Sequence, residues 1–177
     1  MHGKVVLKHV GITHIAVDKK PVLVDFINQC DSSFYFFGIS AKRTSSTPEL
    51  HKKLSEIGRR QGDIRFLLFN PESPELKRKA QDENENWESW KNDIYGTIKR
   101  LKSLATRDEI KIQVRLYDQF PIWRMYILDN KRIYLHYFLS EKQGPQSPLL
   151  ILESNEEALF WPFYLEFIEL WDRSKEA

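Results

Sequence analysis

Arg124 carries the most pointed chemistry in this chain. Its guanidinium is always charged and presents a planar fork of N–H donors matched to phosphate or carboxylate. Asp118 and Asp129 stand near it in sequence and could take it as an ion pair instead. Arg124 therefore serves either a structural pair or a small anionic ligand. A second polar and basic group, Ser40, Lys42 and Arg43 with Thr44, Ser45 and Ser46, precedes a helix start at Thr47-Pro48. Helix N-termini favour anions, which makes this segment a second candidate contact. His136 has the right type for a base, or for a partly buried sheet residue.

Other reactive types are present without the spacing that would use them. His2, His9, His14, His51 and His136 form no Cys/His ligand cluster, and the acidic run Asp82–Asn86 lacks calcium-loop spacing. No metal and no cofactor are expected. The lone cysteine, Cys30, ends an apolar helical pattern and reads as a buried structural thiol. A single cysteine forms no internal disulfide, which favours a reducing, cytoplasmic setting.

The bulk composition narrows the classes further. With 177 residues, 41% hydrophobic and 29% charged, the chain fits one globular domain over 1–177 with one sizeable core. The formal net charge of +2 creates no global field for nucleic acid, which is not an expected partner. No signal peptide is expected, and no apolar run approaches the roughly 18 residues of a membrane span.

The elements that must position these residues follow from periodicity. Val5 to Val17 is β-branched and extended, with a break at Gly11, and Pro21 opens a short helix through Ile27. Phe34–Ile39 is a continuous apolar run, suited to a central strand covered on both faces. Ser40–Ser46 reads as a polar loop. Thr47 caps a helix that carries Leu50, Leu54 and Ile57 and ends near Gly62. Ile64–Phe69 is a strand, and Ser73 starts a second long helical stretch to Leu104 that bends or breaks at the acidic run. Four strands follow: Ile112–Leu116, Trp123–Leu128, Ile133–Leu139 and Leu149–Leu152. Asp129-Asn130-Lys131 forms a tight hairpin turn, and Gln143–Pro148 an exposed loop. Ser154-Asn155-Glu156-Glu157 fits a capping box for a terminal helix with Phe160, Phe163, Phe167, Leu170 and Trp171 on its docking face. Pro162 bends that helix or resets its start. The order predicts an α/β fold, a mixed sheet flanked by helices.

Several phrases, in order, resemble the bacterial phospholipase D-like domains of unassigned function. They are Gly11-Ile12 leading to Ile27, Phe36–Ser40, Arg65–Pro74, Val114–Asp118 and Phe167–Trp171. The resemblance implies one half of a phospholipase D-type fold. Active members carry His-x-Lys-x4-Asp, in which the histidine attacks phosphorus and the lysine holds the phosphate. Ile122-Trp123-Arg124-Met125-Tyr126-Ile127-Leu128-Asp129 keeps that spacing. Arg124 replaces the lysine, Asp129 matches, and Ile122 stands where the nucleophile belongs. Isoleucine can neither attack phosphorus nor shuttle a proton. The family's Gly-Ser pair is replaced by His136 and Tyr137.

The resemblance thus implies a non-catalytic regulatory or interaction domain that keeps the scaffold and an anion cleft. The expected site residues are Arg124, Asp129, His136, Ser40, Lys42 and Arg43. The alternative is a phosphodiesterase or nuclease with a rearranged site built from His136, Arg124 and Asp129. Because such sites use two copies of the motif around a pseudo-two-fold axis, the resemblance also implies a homodimer. Its expected contact is the aromatic strands Trp123–Leu128 and Ile133–Leu139, with a monomer covered by its own terminal helix as the competing arrangement.

Overall fold

The computed structural model describes residues 9–16, 23–119, 123–137, 148–156 and 158–177. Several sequence expectations fall outside them: the first strand before residue 9, Pro21 and Val22, the nucleophile position Ile122, Phe138 and Leu139, most of the 143–148 loop, and Glu157.

One eight-stranded mixed sheet forms the centre. Its strands are β1 (Ile12–Ala16), β2 (Ser33–Gly38), β3 (Asp63–Phe69), β4 (Gln113–Tyr117), β5 (Trp123–Leu128), β6 (Arg132–Tyr137), β7 (Leu149–Glu153) and β8 (Lys175–Glu176). They lie in the order β1-β7-β6-β5-β2-β3-β4-β8. β2, β3 and β4 are parallel, and β5 runs antiparallel beside β2. The helices are α1 (Leu23–Ile27), α2 (Lys42–Ser45), α3 (Pro48–Arg59), α4 (Pro74–Asp82), α5 (Trp87–Asp108) and α6 (Phe160–Arg173).

Every residue of β2 is buried, as expected for a strand sandwiched between two layers. Alternation sends Phe34, Phe36, Phe66, Tyr126 and Tyr134 to one face. There Phe26 of α1 stacks on Tyr134 at 4.1 Å and tilts against Tyr126 at 5.1 Å. The opposite face carries Tyr35, Arg65, Arg115 and Trp123, and α6 lies across it. Phe167 stacks on Tyr35 at 5.2 Å, Phe163 meets Trp123 edge-on at 5.0 Å, and Trp171 receives Arg65 and Arg115 at 5.3 and 5.0 Å.

Local chemistry explains where the elements start and stop, and in four places it differs from the sequence expectation. Thr47 does not cap α3 with its side chain; its hydroxyl donates back to the Arg43 carbonyl at 2.9 Å, and Pro48 alone sets the start. That helix ends at Arg59, and the left-handed residue after it is Gln61 (φ 60) rather than Gly62. Residues 42–45 are helical, not loop. The Ser154 capping box is not used: α6 begins at Phe160, so Pro162 falls in the first turn, where no intrahelical N–H is lost. Three expectations hold. Ser73 caps α4 by accepting the Glu75 N–H at 3.3 Å. The long helical stretch breaks between Asp82 and Trp87, where Asn86 caps α5. Asp129 (φ 54) and Asn130 (φ 53) form the predicted hairpin turn, closed by the Lys131 N–H on the Leu128 carbonyl at 3.0 Å.

β5 and β6, the strands expected at a dimer contact, are therefore interior. Their described residues lie beneath α1 on one face and α6 on the other, with Tyr137 left 42% exposed. The chain's own terminal helix, α6, covers a strand face of the sheet. No described helix is long and apolar enough to cross a membrane.

Candidate functional site

The carboxyl ends of β2, β3 and β4 share one edge of the sheet, the place where open α/β sheets hold ligands. β5 runs back from that edge, so its second residue, Arg124, stands there. It packs against Gly38 at the end of β2: a Cβ at 38 would lie 3.2 Å from Arg124 Cγ and 2.9 Å from Phe36 Cζ. A bare backbone at this position leaves room for the aliphatic stem of Arg124 and the ring of Phe36. The Arg124 guanidinium sits 5.8 Å from the Tyr126 ring centroid, within cation–π reach. The Tyr126 hydroxyl is held by Thr44 Oγ1 at 2.8 Å. Neither Asp118 nor Asp129 pairs with Arg124 in the described chain, and its buried Nε has no hydrogen-bond partner there. An unsatisfied buried donor is uncommon and calls for a role.

His136 is the direct cross-strand partner of Arg124, so the two side chains rise on the same face. It is 8% exposed, with its ring 6.4 Å from that of Tyr126. Sequence spacing had put it on a different strand; antiparallel register is what makes the two neighbours.

The loop after β2 reaches the same edge. Ser40 accepts the Lys42 N–H at 3.4 Å, and Ala41 between them is buried in the left-handed region (φ 50), a strained conformation for alanine. Lys42 pairs with Asp93 at 2.9 Å. Arg43 is exposed and makes no ion pair among the described residues. Of the two basic residues of this group, Arg43 thus keeps a free charge.

Asp129 does not join this edge. Five residues further along β5, at about 3.3 Å each, it lies roughly 16 Å from Arg124 at the opposite end of the sheet. Its carboxylate accepts the N–H groups of Asp31, Ser32 and Ser33 at 3.0, 2.6 and 3.0 Å, and the Ser32 hydroxyl at 2.9 Å. Burial would raise its pKa, but these four donors outweigh burial and hold it below the usual carboxylate range. It fastens the entry of β2 to the β5–β6 turn. Cys30 lies beside it, fully buried, and burial first and the Asp129 charge second push its thiol up to about 12. A thiolate nucleophile at neutral pH is excluded.

One network went unread in the sequence. Arg100 of α5 donates from Nε and Nη2 to Ser45 Oγ at 3.1 and 3.0 Å, and from Nη2 to Thr97 Oγ1 at 3.0 Å. His51 Nε2 lies 2.7 Å from the Ser45 carbonyl. These contacts pin α2, which carries Arg43, and with it the loop that carries Ser40. The signal was Thr97, a polar residue inside the apolar stripe from Ile94 to Leu101.

Comparison with solved structures places this architecture. The chain is similar to Nuc from Salmonella typhimurium, a phospholipase D family member, at 14% identity and TM-score 0.52, over 93% of this chain and 97% of that one. The fold is phospholipase D-like. A second similar structure is TrmBL2, an archaeal chromatin protein described as showing a novel mode of DNA binding, at 12% identity and TM-score 0.57. That match covers 98% of this chain and 59% of the other, so the chain spans a little over half of TrmBL2's length. No protein-family model and no curated protein matches the sequence. At these identities the likeness carries the scaffold alone.

Proposed function

We propose that this phospholipase D-like chain is a non-catalytic, anion-recognising regulatory or interaction domain. The observation that carries the reading is Arg124: a charged fork at the carboxyl edge of the parallel strands, its Nε buried and without a partner among the described residues. A phosphate or carboxylate oxygen supplies the missing acceptor. His136, paired with Arg124 across β5 and β6, supports the reading, as do Ser40 in the loop after β2 and the exposed Arg43 of α2. The degenerate motif supports the absence of turnover, because Ile122 offers no nucleophile and Asp129 is occupied at the far end of β5. A nuclease or phosphodiesterase built from His136, Arg124 and Asp129 would need all three within reach of one phosphate, and the roughly 16 Å run of β5 keeps Asp129 away.

Isothermal titration with inorganic phosphate, mononucleotides and cyclic dinucleotides tests the reading, together with turnover of bis(p-nitrophenyl) phosphate. The expected result is saturable binding by the wild type, a loss of at least about tenfold in Arg124→Ala, and no turnover by either. Equal binding by both proteins sinks the anion site. Turnover that vanishes in His136→Ala establishes the enzyme instead.

A homodimer is the second part of the proposal, with its contact moved off the interior strands. The exposed apolar side chains Trp161 (41%) and Leu165 (54%) stand on the outer surface of α6. Sedimentation equilibrium is expected to give twice 21.1 kDa at micromolar concentration, falling to one chain in Leu165→Asp. A mass of 21.1 kDa at every concentration removes the dimer.

A further inference from the structure

The whole-chain charge of +2 hides a local concentration. α3 and α5 each return the chain between neighbouring parallel strands, β2 to β3 and β3 to β4, so they run in the same direction, and they meet towards their C-terminal ends, where the Ser55 hydroxyl donates to Asp108 and Gly58 abuts Ile110 just beyond α5. Two adjoining open hollows, of about 440 and 640 Å³, lie on the solvent side of this pair and share Arg107. One is bordered by Lys52 and Arg59 with Glu56 and Asp108; the other by Lys99 and Lys102 with no carboxylate. Five cations face two carboxylates, a surplus of three, larger than that of the entire molecule.

Those two carboxylates are already engaged. Glu56 is 3.5 Å from Lys53, and Asp108 takes Arg107 at 2.7 Å and the Ser55 hydroxyl. Lys102 reaches the Ala177 main-chain oxygen at 2.7 Å. Lys52, Arg59 and Lys99 are exposed and make no ion pair among the described residues. At 1.5 Å per residue the row from Lys52 to Arg59 is about 10 Å long and that from Lys99 to Arg107 about 12 Å. A nucleic-acid strand presents a phosphate about every 3.4 Å along its axis, so each row spans three to four phosphates.

We propose that this α3–α5 face binds the phosphate backbone of double-stranded nucleic acid, without reading its sequence. An anionic membrane fits less well, since surface binding to lipid needs apolar side chains beside the cations, and among the described residues Tyr95 is the one large exposed apolar side chain that borders the hollows. Single strands want several aromatic platforms, and Tyr95 is one ring whose hydroxyl already donates to Glu72 at 2.5 Å. The surface is separate from the Arg124 edge and stands or falls independently of it.

Fluorescence anisotropy of a mixed-sequence duplex of about 30 base pairs, from about 50 to about 200 mM salt, tests the proposal. The decisive variant is Lys52→Gln/Arg59→Gln/Lys99→Gln. Its control is Lys77→Gln/Lys131→Gln/Lys175→Gln, which removes the same charge from exposed positions elsewhere. The groove variant is expected to weaken binding at least about tenfold at the lowest salt and to reduce the log–log salt slope by about 3, against a much smaller change in the control. Circular dichroism checks that both variants remain folded. Absence of salt-dependent binding by the wild type, or equal losses in the two triple variants, overturns the proposal. Tighter binding to phosphatidylserine vesicles than to the duplex, lost in the groove variant, assigns the face to membranes and overturns it as well.

Discussion

Asp129→Ala is expected to destabilise the fold by about 3 kcal/mol. Three backbone N–H groups and one hydroxyl lose a charged acceptor together, although water partly replaces it at this half-buried position. Alanine must also hold the left-handed conformation that Asp129 adopts at φ 54, which costs roughly a further 1 kcal/mol. Asp129→Asn keeps an oxygen acceptor and a residue tolerant of that conformation, and is expected to lose about half as much. Urea denaturation of the three proteins measures the series. The carboxyl is held below its usual range in the folded chain, so its stabilisation is complete above the unfolded value near 4 and is lost as pH falls through the lower folded value. Asn at this position removes that part of the acid sensitivity. Equal stability of wild type and Asp129→Ala would mean that the turn does not anchor β2.

Gly62→Ala is expected to cost about 2–4 kcal/mol, for a reason unrelated to helix capping. A Cβ there would strike the Ser32 carbonyl oxygen and approach Ile57 Cγ2 at 2.5 Å, and the obstacle is largely backbone. The same carbonyl accepts the Asp63 N–H at 3.1 Å, so moving it disturbs the start of both β2 and β3. The neighbouring Gln61→Gly has the opposite sign, a gain of about 0.5 kcal/mol, because it relieves the left-handed residue. Thermal unfolding of the pair distinguishes this from a helix-end glycine, for which the two effects would be reversed.

The layered architecture was legible because each central element carries a strong periodic signal. Phe34–Ile39 read as a strand covered on both faces, and β2 is buried throughout. The aromatic stripe of α6 docks where its spacing indicated, with Phe163 and Phe167 on the sheet. β8 was not read, since a two-residue strand has no period of its own and exists only through pairing with β4.

The site was legible as residue types and less so as a place. Spacing along one strand grouped Arg124 with Asp129, yet five residues of extended chain separate them by the depth of the sheet. Register across strands, which no single segment encodes, put His136 beside Arg124 instead. The role of Ser45 was hidden for the same reason: its partners, Thr97 and Arg100, lie more than fifty residues away.

The buried Nε–H of Arg124 has no partner among the described residues, and we propose that an anion supplies its acceptor. Proton–nitrogen correlation spectra resolve arginine Nε–H signals directly, and Arg124→Lys assigns the one concerned. On titration with inorganic phosphate that signal should move saturably downfield, while the other arginine Nε–H signals of the sheet, Arg65 and Arg115 among them, stay in place. A resonance that does not move as phosphate is added, or arginine signals that all drift together, would contradict an anion site at Arg124.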